Sequence, residues 1–209
     1  MCTPWQEIPL LDYEAHMSLP AVGQARMLAD QLAQLIERYT PTSVAIIGCA
    51  GGNGLDRIDS TRVERVVAID INPEYIAAAE RRHAGRLANL DLRCADVQSE
   101  RLTFDPVELI YAALIFEYVD ISATLATLKR NLRPGGTLAV LLQLPHSDQR
   151  AVSVSPYRSL NTLISVLKLV APDELRSRAM AAGFAVGSSD RIDLPSGKQF
   201  WLQILQPGS

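Results

Sequence analysis

The chain has 209 residues, 48% of them hydrophobic and 21% charged, with a formal net charge of −3. That length suits one domain able to bury a core without staples. The acidic balance supports no extended nucleic-acid footprint, and no charge-free apolar run reaches bilayer-spanning length. The three cysteines, Cys2, Cys49 and Cys94, include no CxxC pair, which argues against a disulfide framework or zinc site and suits a reducing cytoplasm.

Residues 1–20 read as irregular, because Pro4, Pro9 and Pro20 interrupt any long helix, and the start lacks the basic end and apolar block of a secretory signal. The segment still carries Trp5, Tyr13, His16 and Met17, so it either packs on the domain or folds over its site. From Val22 to Tyr39 the apolar residues fall at helical spacing, and Thr40-Pro41-Thr42 ends that helix. Ser43 to Ile47 is a β-branched apolar run that leads into Gly48-Cys49-Ala50-Gly51-Gly52-Asn53-Gly54, with a helix-like segment expected next. A second strand, Val63 to Asp70, ends in a carboxylate. Asn72-Pro73-Glu74 opens a helix to about Leu87, a third strand runs from Leu90 to Ala95, and Val107 to Ala112 is a fourth. Asp120 can cap a helix through Leu132, Arg133-Pro134-Gly135-Gly136 turns the chain, and Thr137 to Leu142 is a fifth strand. Five strands separated by helical segments predict a doubly wound parallel sheet, α/β in class. An apolar helix-like stretch then spans Leu160 to Val170, and Pro172 begins a helix closed at Gly183. Two final strands, about Ala185–Leu194 and Lys198–Leu205, are joined so tightly that they must be antiparallel.

A glycine-rich turn after the first strand, followed about twenty residues later by Asp70 at the end of the second, is the arrangement of a ribose-binding site. Asp70 also reads as an N-cap before Pro73, and Asp96 as a solvated loop carboxylate. A dinucleotide site calls for G-x-G-x-x-G, with pyrophosphate on a helix N-terminus. Here Ala50 and Asn53 stand at the second and third glycine positions, which disfavours a dehydrogenase. The register is G-x-A-x-G-x-G.

That register resembles motif I of the class I S-adenosylmethionine (SAM)-dependent methyltransferases. VVAIDINPEYI resembles their motif II, LRCADV motif III, FDPVELIYAALIFEYV motif IV and LKRNLRPGGTLAVLL the turn into strand five. The resemblance is good over residues 40–144 and holds in outline for the last strands. It implies a Rossmann-like seven-stranded sheet ordered 3-2-1-4-5-7-6, with strand seven antiparallel. It also implies that Gly48, Cys49, Ala50 and Gly52 meet the methionine part of SAM, Asp70 its ribose, and Ile71, Asp96 and Val97 its adenine, with Asn53 a further cofactor-binding residue. Ala113 would lie near the sulfonium. The family's usual acid two positions before the first glycine is Ile46 here, so backbone carbonyls around Gly48 and Ala113 would anchor the amino group.

A sulfonium methyl is already activated, so alignment and water exclusion carry the reaction, with a base needed only where the acceptor loses a proton. Glu117, Tyr118 and His146 are the candidate catalytic residues, with Tyr13, His16 and Tyr157 lining the acceptor pocket. His83, beside Arg81 and Arg82, reads as a solvated helix face. The absence of Asn-Pro-Pro-Tyr after strand four, together with the acidic balance, favours a small-molecule acceptor over nucleic acid. The expected organisation is one methyltransferase domain over 1–209. It divides into an N-terminal segment and helix (1–39), a SAM-binding core (40–144), an acceptor-site or lid insertion (145–171) and a C-terminal helix with hairpin (172–209). No metal, nucleic acid or membrane partner is expected, and a homodimer stays open. S-adenosylhomocysteine (SAH) would be the product. A non-catalytic SAM- or SAH-binding sensor or partner subunit is the alternative.

Overall fold

The computed structural model describes residues 3–87, 89–145 and 156–208. One sheet runs in the order β3-β2-β1-β4-β5-β7-β6. Its strands are β1 (Ser43–Ile47), β2 (Arg65–Asp70), β3 (Leu90–Cys94), β4 (Val107–Ala113), β5 (Leu132–Gln143), β6 (Phe184–Asp193) and β7 (Gln199–Pro207). The first five are parallel, and β7 runs antiparallel to β5 and β6. This is the strand order and sense that the sequence resemblance implies.

All five residues of β1 are buried, as a strand covered on both faces must be. Val44 and Ile46 enter one core, Ala45 and Ile47 the other. The first core is closed by α2 (Gln24–Tyr39), which turns Met27, Leu28, Leu32, Leu35 and Ile36 inward. The second is closed by α4 (Ile121–Arg130) and α5 (Pro172–Ala181) through Leu125, Leu128, Leu175 and Ala179. The helix α3 (Pro73–His83) follows β2. Asn72 caps it by accepting from Glu74 N at 2.9 Å.

The elements depart from the sequence reading in several places. No α-helix follows the glycine turn; residues 49–64 hold only a 3-10 turn, Leu55–Arg57. The space is taken by α2, whose Leu32 Cδ2 would lie 3.1 Å from a Cβ on Gly54. Residues 95–106 also carry no helix. The prolines near the N-terminus flank α1 (Leu10–Ser18) rather than preventing it, with Pro9 at its N-cap. The helices expected to reach Leu87 and Leu132 stop at His83 and Arg130. Leu132 instead pairs with Val107, and the ladder resumes at Leu109↔Thr137, so Arg133 to Gly136 bulge outward around Pro134 and the left-handed Gly135 (φ 75). Leu160–Val170 is not an α-helix: a 3-10 helix spans Arg158–Ser165 and irregular chain follows. Among the described residues no helix is long and apolar enough to cross a membrane.

Candidate active site

The turn after β1 alternates. Gly48 (φ 73), Ala50 (47), Gly52 (96) and Gly54 (86) are all left-handed, which accounts for small residues at every second position. Five amides of this turn are already committed. Gly48 N and Cys49 N donate to Ile69 O at 2.8 and 3.1 Å, and Gly52 N and Asn53 N donate to Cys49 O at 2.9 and 3.1 Å. Ala50 N donates to Asp70 Oδ2 at 2.9 Å. Such a loop has few free donors to offer an anion.

Asp70 closes the other side. Its Oδ1 accepts from Asn72 N at 2.9 Å, so each carboxylate oxygen carries one backbone hydrogen bond and keeps capacity for another donor. Burial pushes its pKa up, against the pull of the Asn72 and Ala50 amides. A cavity opens above these strand ends, between Gly48, Ala50, Asp70, Ile71, Asp96, Val97 and Ala113. Leu114, the next residue, is left-handed (φ 57). The turn it makes sends Ile115 back over Gly48, where a Cβ would collide with the Ile115 side chain.

The N-terminal segment roofs the cavity. Tyr13 stacks on Tyr75 with centroids 5.9 Å apart, Trp5 meets Tyr13 edge-on at 5.7 Å, and Trp5 meets Tyr118 edge-on at 5.0 Å. Four rings thus reach from α3 to the end of β4. Asn72 Nδ2 donates to Trp5 O at 2.9 Å. Arg82 of α3 holds both carboxylate oxygens of Glu14 in α1 and donates to Gly51 O at 3.1 Å. Ser159 Oγ donates to Asp12 at 2.6 Å, tying α1 to the 3-10 helix.

Away from Asp70 the lining turns polar again. Glu117, 2% exposed, accepts from Gln143 N at 2.7 Å through Oε1, while Oε2 has no protein partner. Burial pushes its carboxyl up to about 7. Gln24 Nε2 donates to Gln143 Oε1 at 3.4 Å. His16 is buried, and its pKa is lowered by burial and then by Lys198. Burial brings Lys198 down to about 8.

Gly48, Ala50, Asn53, Asp70, Ile71, Asp96, Val97, Ala113, Glu117, Tyr118, Tyr13 and His16 therefore share one cavity. Cys49 is packed in the core, and Gly52 lies under His83, whose Nε2 would be 2.6 Å from a Cβ there. Tyr157 stands outside the lining, against Leu160 and Leu163. His146 lies outside the described residues. Tyr13 lies toward the Asp70 side of the cavity: burial raises its pKa, and the Asp70 carboxylate raises it further. The sequence reading missed Tyr75 as part of the site, named Trp5 only as part of a segment that packs on the domain or folds over its site, and misplaced His83, which is buried, not solvated. The signal for His83 was its neighbour Ala79, one turn earlier on a buried stripe with Tyr75.

Residues 46–140 match the family model described as a methyltransferase domain. Among solved structures the chain is similar to the N-methyltransferase NodS from Bradyrhizobium japonicum WM9 in complex with S-adenosyl-L-homocysteine, at 15% identity over 89% of this chain and 88% of that one, TM-score 0.67. It is also similar to the cyclase SpnF, at 15% identity over 86% and 82% of the two chains, TM-score 0.65. A third is an S-adenosylmethionine-dependent methyltransferase from Clostridium acetobutylicum, at 10% identity over 88% and 92%, TM-score 0.63. No curated protein sequence matches. The chain thus carries a stretch that matches a methyltransferase domain, on a fold it shares with solved SAM-dependent methyltransferases.

Proposed function

We propose that the chain is an active SAM-dependent methyltransferase that transfers a methyl group to a small-molecule acceptor by in-line displacement. The observation that carries this reading is the amide-poor loop facing Asp70. A dinucleotide needs free N–H groups and a helix N-terminus for its pyrophosphate. Here the loop amides at 48, 49, 50, 52 and 53 donate internally and only a 3-10 turn follows. A ligand that brings its own donors suits this site, as ribose hydroxyls and an ammonium group do.

The residues fit such a ligand. Asp70 retains acceptor capacity for two ribose hydroxyls. Ile71, Asp96 and Val97 would flank the adenine, and the bare turn at Gly48 and Ala50, with Ala113, would hold the methionine end. Cys49 and Gly52 would act by shaping the loop, and Asn53 by fastening it to α2 through Ala25 O at 3.1 Å. When bound, SAM supplies a methyl group on a cationic sulfur, already electrophilic. The protein's share is orientation and exclusion of water, worth roughly 7–11 kcal/mol in favourable cases. The ring roof over the cavity serves both. Glu117 and Tyr118 would be the catalytic side chains and His16 an acceptor-pocket residue.

The fold also serves the cyclase SpnF, so methyl transfer rests on the site and not on the fold. Calorimetry with SAM tests it: Asp70→Ala should weaken binding at least tenfold, about 1.4 kcal/mol. Unchanged affinity removes the ribose assignment. SAM binding without SAH release across an acceptor panel would instead leave a non-catalytic binding domain.

A further inference from the structure

Four buried polar atoms without a protein partner belong to side chains that line this cavity: Thr3 Oγ1, His16 Nδ1, Tyr75 OH and Glu117 Oε2. Tyr75 belongs to the cofactor end, where Asp70 and Tyr13 help raise its pKa. Glu117 belongs to the acceptor end. Its main-chain carbonyl accepts from Lys168 N at 2.9 Å, which draws Leu167 to the cavity. Trp5, Tyr118, Leu160 and Leu163 form a single apolar cluster beside it. One carboxyl oxygen is thus satisfied by Gln143 N, and the other is buried without a hydrogen-bond partner.

We propose, resting on the methyltransferase reading, that the acceptor is a primary or secondary amine on an apolar body, its nitrogen set against Glu117 Oε2. A buried carboxylate without a partner is costly, and an ammonium N–H offsets that cost directly. Chemistry separates amine from alcohol. An alcohol must lose its proton as it attacks, and a carboxyl with its pKa near 7 is a poor base for that. An amine needs only its ammonium proton removed, which such a carboxylate can accept. The step balances. The ammonium passes one proton to Glu117 Oε2, and the freed lone pair forms the N–CH₃ bond. The S–CH₃ bond breaks with its electron pair left on sulfur, giving the methylated amine and SAH.

The probe is benzylamine, with benzyl alcohol as its matched control. In the SAH-bound protein at pH 6, infrared difference spectra should show a protonated-carboxyl band that Glu117→Gln removes. Benzylamine should abolish this band by forming an ammonium–carboxylate pair, and benzyl alcohol should leave it. With SAM, benzylamine should yield its N-methyl product, and Glu117→Gln should lower kcat/KM roughly a hundredfold. SAH affinity should meanwhile stay within about threefold. A band that persists at saturating benzylamine, no Glu117-dependent band at all, or methylation of benzyl alcohol in preference to benzylamine would overturn the proposal. If Glu117→Gln does not fold, the wild-type spectra with the two probes still decide. Failure of the wild type to bind SAH would take down the methyltransferase reading itself, a separate and recognisable result.

Discussion

Ala50 carries a methyl group at a backbone position (φ 47) where glycine sits with less strain. Left-handed backbone costs a non-glycine residue about 1–2 kcal/mol, while glycine loosens the unfolded chain by about 0.4–1 kcal/mol. Ala50→Gly should therefore stabilise the fold by about 0.5 kcal/mol, read as a higher urea midpoint. A lower midpoint would mean the methyl group's packing outweighs the strain. Glu117 makes a second case. Its folded pKa of about 7 lies above the ordinary 4.5, so the folded state holds the extra proton between those values and stability falls as pH rises through them. His16 and His83 act oppositely: burial lowers both, so their contribution is full above 6.5 and is lost as pH falls below it. Replacing Glu117 by Gln removes one slope and leaves the other. The melting-temperature gain of Glu117→Gln over wild type should be larger at pH 8 than at pH 5, and an equal gain at both would show that Glu117 keeps an ordinary pKa in the fold. Asp70 and the glycine register were legible because a fixed spacing carries them. The burial of His83 was not, because Arg81 and Arg82 beside it masked the stripe it shares with Tyr75 and Ala79.

The connection 95–106 shows how an element can be replaced by a single side chain. With no helix there, Asn131 Oδ1 accepts from Phe104 N at 2.7 Å and its Nδ2 donates to Leu102 O at 3.1 Å and Thr127 O at 2.9 Å. Asn131 is 1% exposed, so Asn131→Ala would strand buried main-chain groups at a cost of about 2–4 kcal/mol; a loss below about 1 kcal/mol in denaturant unfolding would contradict the stapling role. The sequence suggested helices in both helix-free connections. In residues 49–64 the competing force is local: Asp59 accepts from Thr61 N at 2.9 Å and from its hydroxyl at 2.7 Å, a side-chain turn that displaces helical bonding. The roof is held differently. The Glu14–Arg82 pair is half open to solvent, and such pairs contribute only about 0–1 kcal/mol. Arg82→Gln should therefore leave global melting nearly unchanged while α1 amides exchange faster with solvent. Unaltered α1 exchange would show that the rings alone hold the segment down.

At the scale of the molecule, the sheet was legible and the roof was not. Strand order follows from recognising an ordered set of motifs and a closing hairpin. The roof depends on Trp5 with Tyr118, Tyr13 with Tyr75 and Asp12 with Ser159, contacts between distant residues that leave no period in the sequence. Core, loop and roof meet at one cavity, so a ligand there is coupled to the stability of all three. SAH at about a hundred times its Kd should add about 2.7 kcal/mol to the unfolding free energy. For a domain of this size that corresponds to a rise in Tm of roughly 5–10 °C. At the same SAH concentration, Asp70→Ala should forgo about 1.4 kcal/mol of that gain. NADH should leave Tm where it is, because the pyrophosphate finds the amides of Gly48, Cys49, Ala50, Gly52 and Asn53 already donating to Ile69, Asp70 and Cys49. A rise with NADH and none with SAH would mean that those amides are released when a ligand arrives, and the turn would then be an anion cradle.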